Sequence, residues 1–158
     1  MKLYLETTIF NYYFDADREG HADTVRLLEK IRNGEYEAYT SDYAILEIQN
    51  AGDPKKSDML SLIDDCGVIR LEADDEVLKL ADLYINTGAI PERFRFDSAH
   101  IAVASINRLD CVLSYNFKHI NRLQTKILVE KINRAEGYGV VAICTSKEVL
   151  EDEQNNEE

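Results

Sequence analysis

Four polar side chains of this 158-residue chain stand where chemistry could use them: Glu6, Glu47, Asp97 and Asn116. Glu6 follows the apolar run Leu3-Tyr4-Leu5, Glu47 sits between Leu46 and Ile48, Asp97 opens an Ala-rich stretch, and Asn116 follows Cys111 to Ser114. Three carboxylates brought together repel one another and are costly to bury as anions. A divalent cation resolves that conflict, and carboxylate and amide oxygens are hard ligands suited to Mg²⁺ or Mn²⁺. Such an ion can activate water and orient a phosphodiester, so the set points to metal-dependent phosphodiester hydrolysis.

These residues need a scaffold that delivers them to one place. Short continuous apolar runs at Lys2–Glu6 (extending up to Phe10), Glu37–Ser41, Val68–Leu71, Cys111–Ser114 and Val140–Cys144 read as strands. Between them lie helical patterns: His21–Asn33, a helix capped by Ser41 or Asp42 through Asn50, and one capped by Ser57. Further helices are predicted at Asp74–Thr87, at a buried Asp97–Leu109 and at Asn121–Ala135. Strands alternating with helices predict an α/β fold, a three-layer α/β/α arrangement around a mostly parallel sheet of about five strands. In such sheets the ligand site lies at the carboxyl ends of the strands, where the helices begin. All four polar residues fall at that edge. Asp97 also suits a helix cap, and Glu47 alone would suit a solvated face.

The length fits one domain, residues 1–150, followed by the acidic stretch EDEQNNEE over 151–158, which is expected to be disordered. The net charge of −12 excludes coating nucleic acid or anionic membrane by bulk charge. Locally the balance reverses: residues 108–134 hold six basic side chains against Asp110 and Glu130. No run is long and apolar enough for a membrane span or a signal peptide. Cys66, Cys111 and Cys144 form neither a zinc-like pair nor a disulfide framework, and a reducing cytoplasm is the expected compartment.

The ordered motifs resemble the PIN-domain nucleases, including VapC-like toxins. Leu3-Tyr4-Leu5-Glu6-Thr7-Thr8 resembles the family's first acidic strand, and Thr40-Ser41-Asp42-Tyr43-Ala44-Ile45-Leu46-Glu47-Ile48 its second motif. Phe96-Asp97-Ser98-Ala99-His100 resembles the third, and Leu113-Ser114-Tyr115-Asn116-Phe117 the fourth. Glu6 stands where Asp is usual in that family, and Asn116 is a frequent variant of its fourth acid. The resemblance implies endoribonuclease activity with a Mg²⁺ or Mn²⁺ site. In the toxin branch it implies a small antitoxin partner and a homodimer.

On this reading Glu6, Glu47, Asp97 and Asn116 are both the catalytic residues and the metal ligands, with Thr7, Ser41, His100 and His119 around them. Lys118, Arg122 and Lys126, spaced by four, are candidate RNA contacts, as are Arg93 and Arg95 interleaved with Phe94 and Phe96. Basic helix faces and local ion pairs are the plainer readings of these residues. A catalytically weak scaffold that binds RNA or a protein partner is the alternative function. A nucleotide-binding domain ranks last, because no Gly-rich phosphate loop follows any strand.

Overall fold

A computed structural model describes residues 1–157. Five parallel strands form one sheet: β1 (Lys2–Leu5), β2 (Glu37–Ser41), β3 (Ile69–Leu71), β4 (Cys111–Leu113) and β5 (Ala142–Cys144), in the order β3-β2-β1-β4-β5. The register sets Tyr4 beside Tyr39 on one side and Val112 on the other. The helices are α1 (Thr7–Phe14), α2 (His21–Arg32), α3 (Asp42–Gln49), α4 (Lys55–Asp65), α5 (Asp75–Asn86), α6 (Arg95–Ile106), α7 (Leu123–Glu136) and α8 (Ser146–Glu157).

The two-residue period of the strands divides the core. Leu3, Leu5, Cys111 and Leu113 point to a cluster built with α1 to α4 and α8. Tyr4 and Val112 point to the opposite cluster, built with α5, α6 and α7. Both sheet faces are therefore covered, which is why the strands read as unbroken apolar runs. The three layers match the architecture expected from the sequence.

The chain moves outward from β1 to β3 and then returns to the other side of β1 at β4. This reversal opens a crevice at the carboxyl ends of β1 and β4, the place where open α/β sheets bind ligands.

Several local expectations are corrected. Thr7 to Phe10 does not prolong β1; it opens α1. Thr and Ile favour strands, but here Ile9 and Phe10 gain full burial from the helical turn, so packing overrides propensity. Ser57 is not a cap: α4 starts at Lys55, and Asp53 accepts the Ser57 amide and hydroxyl at 3.2 and 2.7 Å. Asp97 is not a cap either, because a 3-10 turn over Glu92–Phe94 leads straight into α6 at Arg95.

The end of the chain also differs from expectation. Residues of the acidic stretch continue α8 as far as Glu157, while Glu158 lies outside the described residues. Val149 and Leu150 anchor this helix in the core, and Lys30 pairs with Glu153 at 2.9 Å. Cys111 and Cys144 are joined as a disulfide across neighbouring strands. The sequence separation concealed this, since parallel pairing of β4 with β5 is what brings the two thiols together.

Candidate metal centre

The site begins where β1 stops. Glu6 caps α1 with extended backbone (φ −76°, ψ 158°), and its amide donates to the Leu113 carbonyl at 3.1 Å. Its carboxylate is buried at 2 % exposure. Thr8 and Ser114 donate to it at 2.5 and 2.8 Å, both on Oε2, so neither bond occupies Oε1. Burial pushes the Glu6 pKa up, against the pull of His100 and these hydroxyl donors.

Ser41 ends β2 and caps α3, accepting the Tyr43 amide at 3.3 Å. Its hydroxyl also meets the Tyr4 hydroxyl at 2.7 Å. From α3, Glu47 reaches inward: Thr7 donates to its Oε1 at 3.1 Å, and His100 Nε2 bonds the same oxygen. His100 is fully buried on α6, and its Nδ1 lies 2.5 Å from the Tyr4 hydroxyl. Burial opposes a charged imidazole. The bond from Glu47 and the charges of Glu47, Glu6 and Asp97 outweigh it, so the His100 pKa is raised.

Glu6, Glu47 and His100 each offer a ligand atom within 4.8 Å of the others. The sequence placed His100 only in a supporting role, and the structure puts it inside this tightest group. Asp97 stands beside the group in the first turn of α6, its pKa raised by burial and modulated by the charges of His100 and Glu47. The Asn116 side chain favours the Asp97 anion, while its own Oδ1 accepts the His119 amide at 3.0 Å. The carbonyl of Asn116 takes the Ile120 and Asn121 amides, which fixes the loop after β4. A hard cation fits this donor set: two buried acids disfavour their own charge, and the oxygen donors need a positive partner.

A cavity of about 560 Å³ opens over Glu47 and Asp97, lined also by Arg93, Phe94, Arg95 and Phe96. Arg93 lies over the Phe94 ring at 5.1 Å, and Phe94 stacks on the His119 ring at 3.7 Å. His119 thus packs at the rim of the site, with its buried Nδ1 unpartnered. Arg95 reaches the same cavity but pairs with Asp82 at 2.7 Å and Glu92 at 3.7 Å. The other basic residues lie around the start of α7. Arg122 caps α7 rather than riding on it, and donates to Gln124 at 2.7 Å. Lys118 is exposed in the loop before it, and Lys126 is half-buried in the first turn of α7.

Sequence reasoning passed over Tyr4, Thr8 and Ser114. Each is a hydroxyl within or next to a strand motif, and its role needs a partner from another segment. The repeated hydroxyls around Glu6 were the available signal.

No protein-family model and no curated protein matches this sequence. Solved structures are similar in fold. The Mycobacterium tuberculosis VapC20, a toxin that cleaves the sarcin-ricin loop, superposes with a TM-score of 0.58 at 12 % identity. That match covers 74 % of this chain and 92 % of the toxin. The Rickettsia felis VapBC2, solved bound to a DNA fragment from its promoter, gives a TM-score of 0.57 at 14 % identity. It covers 90 % of this chain and 98 % of the matched chain. Five parallel strands between helical layers, with acids gathered at the β1–β4 crevice, give this chain the PIN-like fold of the VapC-type toxins.

Proposed function

We propose that this chain is a divalent-metal-dependent endoribonuclease that hydrolyses RNA phosphodiester bonds. The carrying observation is the convergence of Glu6, Glu47 and His100, with Asp97 alongside, beneath a cavity bordered by Arg93 and Arg95. Glu6, Glu47, Asp97 and Asn116 would hold Mg²⁺ or Mn²⁺, which supplies an activated water and offsets charge on the phosphate. Thr8 and Ser114 keep Glu6 aimed, and Thr7 and His100 keep Glu47 aimed. Arg93 and Arg95 meet phosphates, while Phe94 and Phe96 offer rings to unpaired bases. Lys118, Arg122 and Lys126 extend that contact along the strand.

The biological role we propose is the toxin of a toxin–antitoxin pair. Similarity to a VapC toxin and to a VapBC2 assembly supports it. A small antitoxin protein and a second copy of the chain are the partners this implies, and cytoplasmic RNA is the substrate pool. Among the described residues, no helix is long and apolar enough to cross a membrane.

One observation favours a second reading, a scaffold that binds RNA or a protein without cutting. Asn116 already gives one of its two oxygen lone pairs to the His119 amide, which weakens it as a ligand. Incubation of purified protein with single-stranded and structured RNA, with Mn²⁺, Mg²⁺ or chelator, separates the two. Cleavage that needs the ion and falls on the order of a hundred-fold or more in Asp97→Asn supports the nuclease. Binding of RNA or partner without ion-dependent cleavage supports the scaffold.

A further inference from the structure

A second opening is lined by both chain neighbours of Asn116, Tyr115 and Phe117. It is a cavity of about 440 Å³ lined by Tyr12, Arg18, Gly20, Tyr115, Phe117 and Lys147, with Glu19 and Asp23 also on its wall. Tyr12 and Tyr115 stack face to face, with centroids 4.0 Å apart and planes 4° from parallel. Phe117 stands edge-on to Tyr115 at 6.3 Å and is 57 % exposed. Arg18 lies over the Tyr12 ring at 5.4 Å.

This wall is rigid. The Tyr115 hydroxyl donates to the Gly20 carbonyl at 3.2 Å and meets the Thr24 hydroxyl at 2.9 Å. Gly20 has a left-handed backbone (φ 98°), and a Cβ there would fall 2.9 Å from the Tyr115 ring. Only glycine lets the backbone approach the ring so closely.

The wall is also tied to the acidic site. The Tyr115 amide donates to Thr8 Oγ1 at 2.8 Å, and Thr8 donates to Glu6 at 2.5 Å. Asn116 lies between Tyr115 and Phe117 in the chain. Hydrogen bonds through Thr8 and the chain at Asn116 thus connect the acidic site to this aromatic wall.

Charge narrows the ligand. Arg18 and Lys147 are balanced by Glu19 and Asp23, and Arg18 already pairs with Asp15 at 3.1 Å. Such a cavity does not hold a free phosphate by charge. It suits a flat, largely uncharged ring brought in on a strand anchored elsewhere. We propose that it is a nucleobase subsite, where one unpaired base of the RNA stacks on Phe117 beside the Tyr12–Tyr115 pair. The subsite rests on RNA being the substrate of the acidic centre.

The test uses the full chain carrying Asp97→Asn, so that the RNA is not consumed. Fluorescence anisotropy follows binding of a labelled, unpaired RNA of about ten nucleotides. Phe117→Ala is expected to weaken binding about ten-fold, and Phe117→Tyr to retain it. An abasic nucleotide at one position is expected to cause the same loss in the Phe117 protein and no further loss in Phe117→Ala. Unchanged affinity in Phe117→Ala, or fully additive losses, overturns the subsite. So does loss of binding to a purified partner protein with RNA affinity intact, which would assign the wall to protein docking. Ion-dependent cleavage by the unsubstituted chain is scored separately. If cleavage occurs and Phe117→Ala binds RNA normally, only the subsite fails. If the coupled losses appear without cleavage, only the nuclease reading fails.

Discussion

His100 holds Glu47: the imidazole Nε2 bonds Oε1 of the carboxylate, and the other ring nitrogen lies 2.5 Å from the Tyr4 hydroxyl. A carboxylate only accepts, so Nε2 carries the hydrogen. In the neutral imidazole Nδ1 then accepts from Tyr4, and Tyr4 accepts from Ser41. In the charged form Nδ1 donates to Tyr4, and Tyr4 donates to Ser41. Either way one uninterrupted chain of hydrogen bonds runs from β2 through β1 and α6 to the proposed metal ligand on α3.

His100→Gln breaks that chain while keeping a polar group in the buried space. Loss of such an outer partner typically weakens metal binding about ten- to hundred-fold. Calorimetric titration with Mn²⁺ reads this directly. An affinity equal to that of the unsubstituted chain would remove His100 from any part in aiming Glu47.

Burial raises the pKa of Glu6, and likewise that of Asp97. An acid whose pKa rises on folding favours the folded state most at low pH, below its ordinary value near about 4.3 for Glu. That stability is lost as pH rises through the raised value. His100, also raised, loses its contribution in the same direction. The metal-free chain is therefore expected to lose stability from these groups toward neutral pH, and Glu6→Gln to flatten the loss. Thermal unfolding in chelator at about pH 4.5 and about pH 7.5 checks this. Identical pH slopes for the two proteins would contradict the burial cost assigned to Glu6. Mn²⁺ should raise the neutral-pH midpoint of the unsubstituted chain far more than that of Glu6→Gln.

Thr8 serves two partners, donating to Glu6 and accepting the Tyr115 amide. Thr8→Val keeps the shape and deletes both bonds, leaving a part-buried amide unsatisfied. The expected cost is about 1–3 kcal/mol. At about 2–4 °C per kcal/mol for a chain of this size, the melting temperature should fall by several degrees. Thr8→Ser should recover most of it. A melting temperature unchanged in Thr8→Val would show that neither bond contributes to folding.

Much of the scaffold is legible in local pattern. Val77, Leu80, Ala81 and Tyr84 share one helix face and are buried together in α5, which Asp74 caps. Helix α1 was not legible, because Thr7, Thr8 and Ile9 are strand-formers. Only the pocket waiting for Ile9 and Phe10 makes them helical. The end of α8 misled for the opposite reason. Its polar composition suggests disorder, yet Val149 and Leu150 hold its start and Lys30 reaches Glu153.

The candidate site divides in the same way. Residue type and order along the chain singled out Glu6, Glu47, Asp97 and Asn116, because an acid ending an apolar strand needs a partner. Period and alternation also gave the expectation that these residues lie at the carboxyl edge of a parallel sheet. Only the tertiary structure decided which of them meet. It brought His100 into the tightest group with Glu6 and Glu47, gave Asn116 to the His119 amide, and joined Cys111 to Cys144. The physical reason is that period is a property of a segment, whereas a hydrogen bond between residues 47 and 100 depends on how two helices cross above the sheet.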